Sequence, residues 1–233
     1  MGLSLNEALR TTGAIRDFTD RAVDDVVLTR VLDTARFAPS GGNAQAWRVV
    51  VVKDSTNRRR LRDCYLRGSR DYLALLAAGL RPWAPTSDRD AEARALAADE
   101  RVTAAGGFGE KIDEAPVLLA LFADLSMLAA VDRDADRYTF AGGASLYPFA
   151  WSILLAARDE GLGGVITTIA IREEPQIKAL LGAADPLALA AVIALGYPVR
   201  QPRRLRRQPV SSFATVDSID GPTFGRSADE EVG

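Results

Sequence analysis

The chain has 233 residues, 48% of them hydrophobic, and its 29 basic and 31 acidic side chains leave a net charge of -2. This composition is typical of a folded domain with a large core, and it provides no overall field that would attract nucleic acid or an anionic membrane. Histidine is absent and Cys64 is the only cysteine, which excludes Ser-His-Asp and Cys-His catalysis, internal disulfides and His-ligated zinc. We therefore expect a cytoplasmic protein without a metal site, whose chemistry, if it is an enzyme, comes from a bound cofactor or from carboxylates.

The first predicted elements flank a short polar loop. Residues 24–36 repeat apolar side chains at helical spacing after an aspartate that can cap a helix. The β-branched run at 47–52 predicts a buried strand. Further along, the sequence predicts helices at about 57–67, 70–79 and 88–105 and a second buried strand at 115–124. We expect neither a secretory signal nor a membrane helix, since no apolar run approaches the roughly 20 residues that a span needs.

The second half of the chain continues the alternation of helices and strands. Residues 142–163 are apolar nearly all round and predict an enclosed helix, in which Pro148 either lies in the first turn or bends the helix, and which Gly161 or Gly163 can end. Strands are predicted at 164–171 and 187–198, and a short helix at 173–181. This order predicts one layered α/β or α+β domain over 1–225, with 80–114 as a possible mobile cover and 226–233 as a loose tail.

The loop between the first helix and the first strand carries hydrogen-bonding groups and no formal charge. Its sequence is Pro39-Ser40-Gly41-Gly42-Asn43-Ala44-Gln45. A hydroxyl, amides and glycines that let the backbone approach a ligand suit a planar heterocycle with polar edges. The same residue types are also common in ordinary turns between a helix and a strand, so both interpretations stay open.

A second feature is the run RQPRRLRR at 200–207, which places five arginines in eight residues. Arginine binds phosphate in a bidentate manner, so the run predicts a phosphate partner, with a solvated arm as the alternative. A nucleic-acid-binding arm is disfavoured because interleaved aromatic residues and a wider basic surface are missing. A dinucleotide-binding fold is disfavoured too, since no GxGxxG follows a strand and GGFGEK at 106–111 is not a P-loop.

Four blocks in order make the chain similar to the FMN-dependent nitroreductase family. They are the opening block AIRDF to WRVVVVKD with its Ala-Pro-Ser-x-x-Asn-x-Gln-x-Trp pattern, EAPVLLALF, GLGGVITT, and LGYP followed by Arg207-Gln208-Pro209. The resemblance spans about residues 11–210. It implies an α+β sandwich with a mostly antiparallel central sheet flanked by helices, and an intertwined homodimer with two FMN sites at the subunit interface.

The resemblance also implies which residues bind FMN. Arg16 resembles the basic residue near the flavin ring and ribityl chain, and Arg207 resembles the arginine on the phosphate, with Arg206 as a neighbouring candidate. The candidates around the flavin ring are Pro39, Ser40, Gly41, Asn43, Gln45, Gly163, Gly164, Thr167 and Thr168. The chain departs from the family at Thr12-Gly13-Ala14, where many relatives carry an arginine pair and a serine. We expect the arginines of 200–207 to compensate, because two or three guanidiniums can neutralise a phosphate dianion.

The activity that the resemblance implies is ping-pong hydride transfer. NADH or NADPH would reduce the flavin, and a small electron-poor acceptor such as a nitroaromatic or a quinone would then take the hydride. The flavin carries this chemistry, so no catalytic side chain is expected. The alternatives are a specialised relative that cleaves flavin or removes halogen, and an FMN-storing protein without turnover.

Overall fold

One antiparallel sheet of four strands in the order β1-β2-β4-β3 organises the fold. A computed structural model describes residues 2–98 and 107–225. Its strands are β1 (Trp47–Val51), β2 (Val117–Asp124), β3 (Gly163–Thr167) and β4 (Leu187–Gly196). The described helices are α1 (Leu5–Thr11), α2 (Asp25–Ala35), α3 (Ser55–Ala77), α4 (Arg89–Ala98), α5 (Phe108–Lys111), α6 (Tyr147–Asp159) and α7 (Glu174–Leu181). The predicted α+β fold with an antiparallel sheet flanked by helices is confirmed.

Helices cover both faces of the sheet, which explains why β2 reads as a continuous apolar run. Leu119 and Leu121 belong to a buried cluster with residues of α2 and α6. Leu118 and Phe122, on the opposite face, belong to a second cluster with residues of α3 and α7. Successive side chains of a strand point to opposite faces, so a strand between two helical layers must be apolar at every position.

Residues 55–77 form the single helix α3, so the prediction of two helices at 57–67 and 70–79 is wrong. The gap between the two predicted helices contains Gly68, and glycine inside a helix costs about 1 kcal/mol relative to alanine. Gly68 is buried, and a Cβ atom on it would lie 2.6 Å from the carbonyl oxygen of Ile169. Glycine therefore lets α3 approach the turn at 169–173 and does not end the helix.

Several other predicted boundaries also differ from the structure. The helix predicted at 142–163 begins only at Tyr147, because residues 141–145 form a 3-10 turn and Pro148 lies in the first turn of α6. β3 ends at Thr167 and a 3-10 turn follows at 169–173, where apolar side chains pack under α3. β4 ends at Gly196, before a proline that cannot donate to the sheet. The strand predicted at 115–124 begins at Val117.

Both ends of the segment 80–114 contact α3. The Trp83 ring lies 5.9 Å from that of Tyr72, and Phe108 meets Tyr65 edge-on at 6.2 Å, both measured between ring centroids. The helix predicted at 88–105 corresponds to α4, and its residues beyond Ala98 lie outside the described part of the chain. The cover role of 80–114 stays a prediction, and the tail predicted at 226–233 also lies outside the described residues.

Asp132 fixes the loop between β2 and α6. The carboxylate is buried and accepts hydrogen bonds from the backbone N–H groups of Phe140 at 2.9 Å and Ala141 at 3.2 Å, and from Arg137 Nη1 at 2.9 Å. These donors hold the start of the 3-10 turn at 141–145, whose last residue is Ser145. The N–H groups of Phe140 and Ala141, together with Arg137, keep the pKa of Asp132 below its ordinary value.

Replacing Gly68 by alanine tests the close approach of α3. We expect Gly68→Ala to lower the free energy of unfolding by about 1–3 kcal/mol, because the new methyl group overlaps a backbone carbonyl. Arg70→Ala, at an exposed position of the same helix, serves as the control and should change it by about 0.5 kcal/mol or less. Urea unfolding measures both. A stabilised Gly68→Ala variant, as helix propensity alone would predict, contradicts the packing.

The depressed pKa of Asp132 predicts an acid-dependent loss of stability. Since the folded pKa lies below the unfolded value of about 3.9, the carboxylate stabilises the fold above that pH and loses this effect as the pH falls through the folded pKa. We expect Asp132→Asn to be less stable than wild type at neutral pH and to lose less stability than wild type between about pH 4 and pH 2. Urea unfolding across this range, with the exposed Asp134→Asn as control, measures the difference. If wild type and Asp132→Asn lose the same stability between about pH 4 and pH 2, the proposed role of Asp132 is contradicted.

Candidate functional site

The uncharged loop at 39–45 is tightly held. The Ser40 hydroxyl accepts a hydrogen bond from the Gln45 N–H at 3.0 Å, and the Gly41 N–H donates to Ser145 Oγ at 2.9 Å. Asn43 and Gln45 both adopt left-handed backbone conformations, with φ of 54° and 50°. Such conformations cost roughly 1–2 kcal/mol in non-glycine residues and are concentrated at functional sites. Such backbone occurs in ordinary turns as well as in ligand-binding loops, so the role of residues 39–45 stays a prediction.

The segment around Arg16 runs alongside the outer strand β3. The Ile15 N–H donates to the Gly164 carbonyl at 2.8 Å, and a Cβ atom on Gly163 would lie 2.7 Å from Ile15 Cγ1. Gly163 thus lets the backbone at 14–18 come close to the sheet, whereas a Cβ atom on Gly164 would lie 2.6 Å from the Ala194 carbonyl oxygen of β4. Arg16 is exposed there and lines a cavity of about 920 Å³ together with residues 199–204.

The arginine arm, residues 200–207, lies against the end of α1. The Leu205 N–H donates to the Arg10 carbonyl at 3.0 Å, and Gln201 Nε2 donates to the Thr11 carbonyl at 2.9 Å. A Cβ atom on Gly13 would lie 2.9 Å from Leu205 Cδ2. The arm therefore packs directly on the Thr12-Gly13-Ala14 segment, where the family's usual arginine pair is replaced.

A second cavity, of about 1260 Å³, contains Arg206 and Arg207 together with Arg10 and Glu7, and it shares Arg203 and Arg204 with the first cavity. Arg207 Nη1 donates to the Arg206 carbonyl at 2.7 Å. Together the two cavities are lined by seven arginines and two carboxylates, Glu7 and Asp17, which gives a local charge of +5. Among residues 2–98 and 107–225, none of the seven arginines forms an ion pair.

The residues present fit a ligand with a phosphate group. Clustered guanidiniums without acidic partners are the typical environment for a bound phosphate dianion. Two buried side-chain oxygens have no hydrogen-bond partner: Gln201 Oε1, on a residue of the arm that lines the first cavity, and Thr12 Oγ1, on the segment beneath the arm. Buried polar atoms are nearly always paired in folded proteins, so unpaired ones beside a cavity point to a polar ligand or water.

The strand register places the uncharged loop and the arginine arm at opposite ends of the sheet. Trp47, directly after the loop, pairs with Ala123, which pairs with Ala188 of β4, whereas Gly163 pairs with Gly196. The eight residue-to-residue steps from Ala188 to Gly196 correspond to about 27 Å along a strand. One chain therefore brings Arg16, Gly163, Gly164, Arg206 and Arg207 to one end and residues 39–45 to the other.

Thr167 and Thr168 lie between these two ends of the sheet. Thr167 pairs with Val192, in the middle of β4, and is buried, whereas Thr168 is exposed.

Three further residues of the candidate site carried no signal that would single them out in the sequence: Arg10, Ser145 and Gln201. Their roles come from contacts with residues more than 100 positions away, which local sequence patterns do not encode.

Two features are not found in the described part of the chain. Residues 2–98 and 107–225 contain no helix that is both long and apolar enough to cross a membrane. The same residues contain no group of three or more His, Cys, Asp or Glu side chains that could hold a metal ion.

Comparison with known proteins identifies the family. The chain is 29% identical over 224 residues to an NADH dehydrogenase of Thermus thermophilus, covering 84% of this chain and 88% of that protein. It is 28% identical over 190 residues to a 5,6-dimethylbenzimidazole synthase of Rhodospirillum rubrum, covering 79% and 77%. Its fold matches that of an iodotyrosine deiodinase bound to FMN and 3-iodo-L-tyrosine, with a TM-score of 0.63 at 22% identity, over 89% of this chain and 96% of that one. The Nitroreductase family model matches residues 9–197, and the chain therefore belongs to the Nitroreductase family.

Proposed function

We propose that this protein is an FMN-dependent NAD(P)H oxidoreductase that reduces small electron-poor acceptors, such as nitroaromatics or quinones, by ping-pong hydride transfer. The observation that carries the proposal is the arginine arm packed on Thr12-Gly13-Ala14, because it supplies phosphate-binding groups where the family's own arginine pair is replaced. The names of relatives support it: one is an NADH dehydrogenase, and a structure of similar fold holds FMN.

The candidate residues would hold the phosphate of the cofactor at a charged end of the site and its ring at an uncharged end. Arg206 and Arg207 would bind the phosphate, and Arg16 would lie near the ribityl chain and the ring. Pro39, Ser40, Gly41, Asn43 and Gln45 would surround the isoalloxazine. When bound, FMN supplies the hydride chemistry itself. The protein's task is to orient the ring and limit access of water, which the held loop does without adding a charge next to a neutral ring system.

Thr167 and Thr168, with Gly163 and Gly164, would face the redox edge of the ring. Thr168 is exposed at the end of β3, so its hydroxyl and backbone N–H are available as hydrogen-bond donors. A donor at that edge would stabilise added electron density without transferring a proton from a side chain. The absence of histidine is compatible with this scheme, because solvent can supply the proton.

Two copies of the chain would complete each site. The loop at 39–45 and the arginine arm lie beyond opposite ends of the sheet, which are separated by about 27 Å of strand. We propose that the loop of one copy meets the arm of the other. Residues 208–225 expose large apolar side chains, with Phe213 71% and Ile219 91% exposed. Apolar groups exposed in this number mark a surface that another protein covers, and we propose a homodimer.

The visible spectrum and its response to a reductant test the proposed activity. We expect the purified protein to show flavin absorbance, to be bleached by NADH or NADPH without oxygen, and to regain its colour on addition of a quinone. Arg207→Gln should weaken FMN binding about tenfold, the effect of one lost charge-assisted phosphate contact. Arg60→Gln, exposed on α3, is the control. Retained flavin that no reductant bleaches would indicate a storage protein, and a protein that fails to bind added FMN would refute the proposal.

Mixing two defective variants tests whether each site contains residues of both copies. We expect Ser40→Tyr, which blocks the loop, and Arg207→Gln, which weakens the phosphate site, each to lower FMN content. In a heterodimer of the two, a site shared between copies combines both defects in one site and leaves the other site intact, so FMN binding returns to one of two sites. Equilibrium titration of affinity-purified heterodimers with FMN measures this. Heterodimers without any wild-type site would show that each chain builds its site alone.

A further inference from the structure

We propose that Arg172 and Trp83 bind a carboxylate on the electron acceptor, so that the protein prefers aromatic acceptors with a carboxylate to neutral ones of the same shape. This inference rests on the proposed function and names its class of acceptor. The carboxylate would pair with the Arg172 guanidinium and accept a hydrogen bond from the Trp83 indole N–H. Both residues lie close to Thr168, which we expect at the redox edge of the flavin.

Trp83 occupies a turn position that a large side chain seldom takes. The Ala84 N–H donates to the Arg81 carbonyl at 3.3 Å and closes a turn in which Pro82 is the second residue and Trp83 the third. Trp83 has a φ of 52°, and a third turn residue with positive φ is normally glycine or asparagine. The left-handed conformation is unfavourable for a residue with a Cβ atom. This strain does not define a site by itself, but the same side chain is also unsatisfied.

The indole N–H of Trp83 is buried and has no hydrogen-bond partner. Buried donors are nearly always paired in folded proteins, and an unpaired one is costly. Indole can only donate, so the missing partner is an acceptor such as a carboxylate oxygen. A ligand oxygen reaches this N–H only if the turn at 81–84 shifts, and pairing would then remove the cost of the unsatisfied donor.

A guanidinium lies next to this unpaired donor. Arg172 Cζ is 5.1 Å from the centroid of the Trp83 ring, and the Tyr72 ring lies 5.9 Å from that of Trp83, tilted by 46°. The three side chains thus combine a positive charge, an unused N–H donor and two aromatic surfaces. This combination suits an aromatic ligand with an anionic substituent, because arginine binds carboxylates in a bidentate manner and aromatic rings pack on one another.

The charge of Arg172 is available to a ligand. Arg172 is exposed, and among the described residues it forms no ion pair. The two acids that follow it in sequence are engaged elsewhere. Glu173 pairs with Arg67 at 2.7 Å, and Glu174 accepts a hydrogen bond from the Leu189 N–H at 2.9 Å.

The backbone at Arg172 is fixed near the expected redox edge. A Cβ atom on Gly68 of α3 would lie 3.3 Å from Arg172 Cβ, so the turn at 169–173 packs closely on that helix. Arg172 follows Thr168 by four residues of this 3-10 turn, which rises about 2 Å per residue. The two positions are therefore about 8 Å apart, a distance that one substituted aromatic ring can bridge. The carboxylate at Arg172 and the reducible group near Thr168 would belong to the same small molecule.

Calorimetric titration of the oxidised, FMN-loaded protein with 4-nitrobenzoate and 4-nitrobenzamide tests the site, since the two ligands differ mainly in charge. We expect nitrobenzoate to bind at least about tenfold more tightly, equivalent to about 1.4 kcal/mol. R172Q should remove this preference while the affinity for nitrobenzamide changes little, and R172K should restore part of it. W83F keeps an aromatic ring without the N–H and should weaken nitrobenzoate more than nitrobenzamide. R60Q, exposed elsewhere on α3, should behave as wild type.

Reoxidation of the reduced protein without oxygen extends the test to turnover. The ratio of kcat/KM for nitrobenzoate to that for nitrobenzamide should fall about tenfold in R172Q and stay unchanged in R60Q. A role of Arg172 in packing alone would change the rates for both acceptors alike and leave the ratio as in wild type, which would overturn the inference.

The outcomes separate this inference from the proposed function. Equal affinity for the two ligands in wild type would overturn the carboxylate site and leave the FMN-dependent activity intact. A preference that survives in R172Q but is lost in R203Q/R204Q would assign the carboxylate to the arginine arm and overturn the roles of Arg172 and Trp83. If the protein does not take up FMN, the proposed function fails. Titration of the FMN-free protein then still decides the inference, and no preference for nitrobenzoate there would overturn it as well.

Discussion

The burial of both faces of β2 and β4 is the constraint on which the rest of the structure depends. Helices α2 and α6 pack on one face and α3 and α7 on the other, so neither face of the central strands can expose a functional group. Polar and charged ligand-binding residues are therefore restricted to the ends of the sheet and to its outer strands. This explains why the uncharged loop lies before β1 and the arginine arm after β4, where side chains are reachable without opening the core.

Close backbone approaches then fix the groups at those ends. Gly163 lets the segment at 14–18 lie against β3, and Gly13 lets Leu205 pack on the segment after α1. In each case a Cβ atom would fall within 3 Å of a neighbouring atom, closer than side chains tolerate. The arginine arm consequently has a defined position although its side chains are exposed. A fixed set of positive charges binds an anion with less loss of entropy than a free arm would.

The sequence predicted the elements and the family better than the arrangement. Strand and helix types followed from apolar periodicity, and the family followed from four motif blocks, because both are local properties of the chain. The division of α3 into two helices at 57–67 and 70–79 was wrong, because α3 continues through Gly68, which packs against Ile169, 101 positions away. Ser145 and Arg10 were missed for the same reason. The sequence named residues 39–45 and Arg207 as partners of one cofactor, but only the strand register shows that a single chain holds them apart.

The separation between the uncharged loop and the arginine arm bears on how the protein would bind FMN. FMN has a neutral ring system and a doubly charged phosphate, and a site for it needs an uncharged, water-poor end and a cationic end. In this chain an uncharged loop and a cationic arm lie at opposite ends of the sheet, and exposed apolar residues at 208–225 follow the arm. Bringing the ends of two copies together would satisfy both surfaces at once. The stability of the assembly and the binding of its cofactor would then depend on the same contacts, so that a chain that fails to pair would also fail to bind FMN.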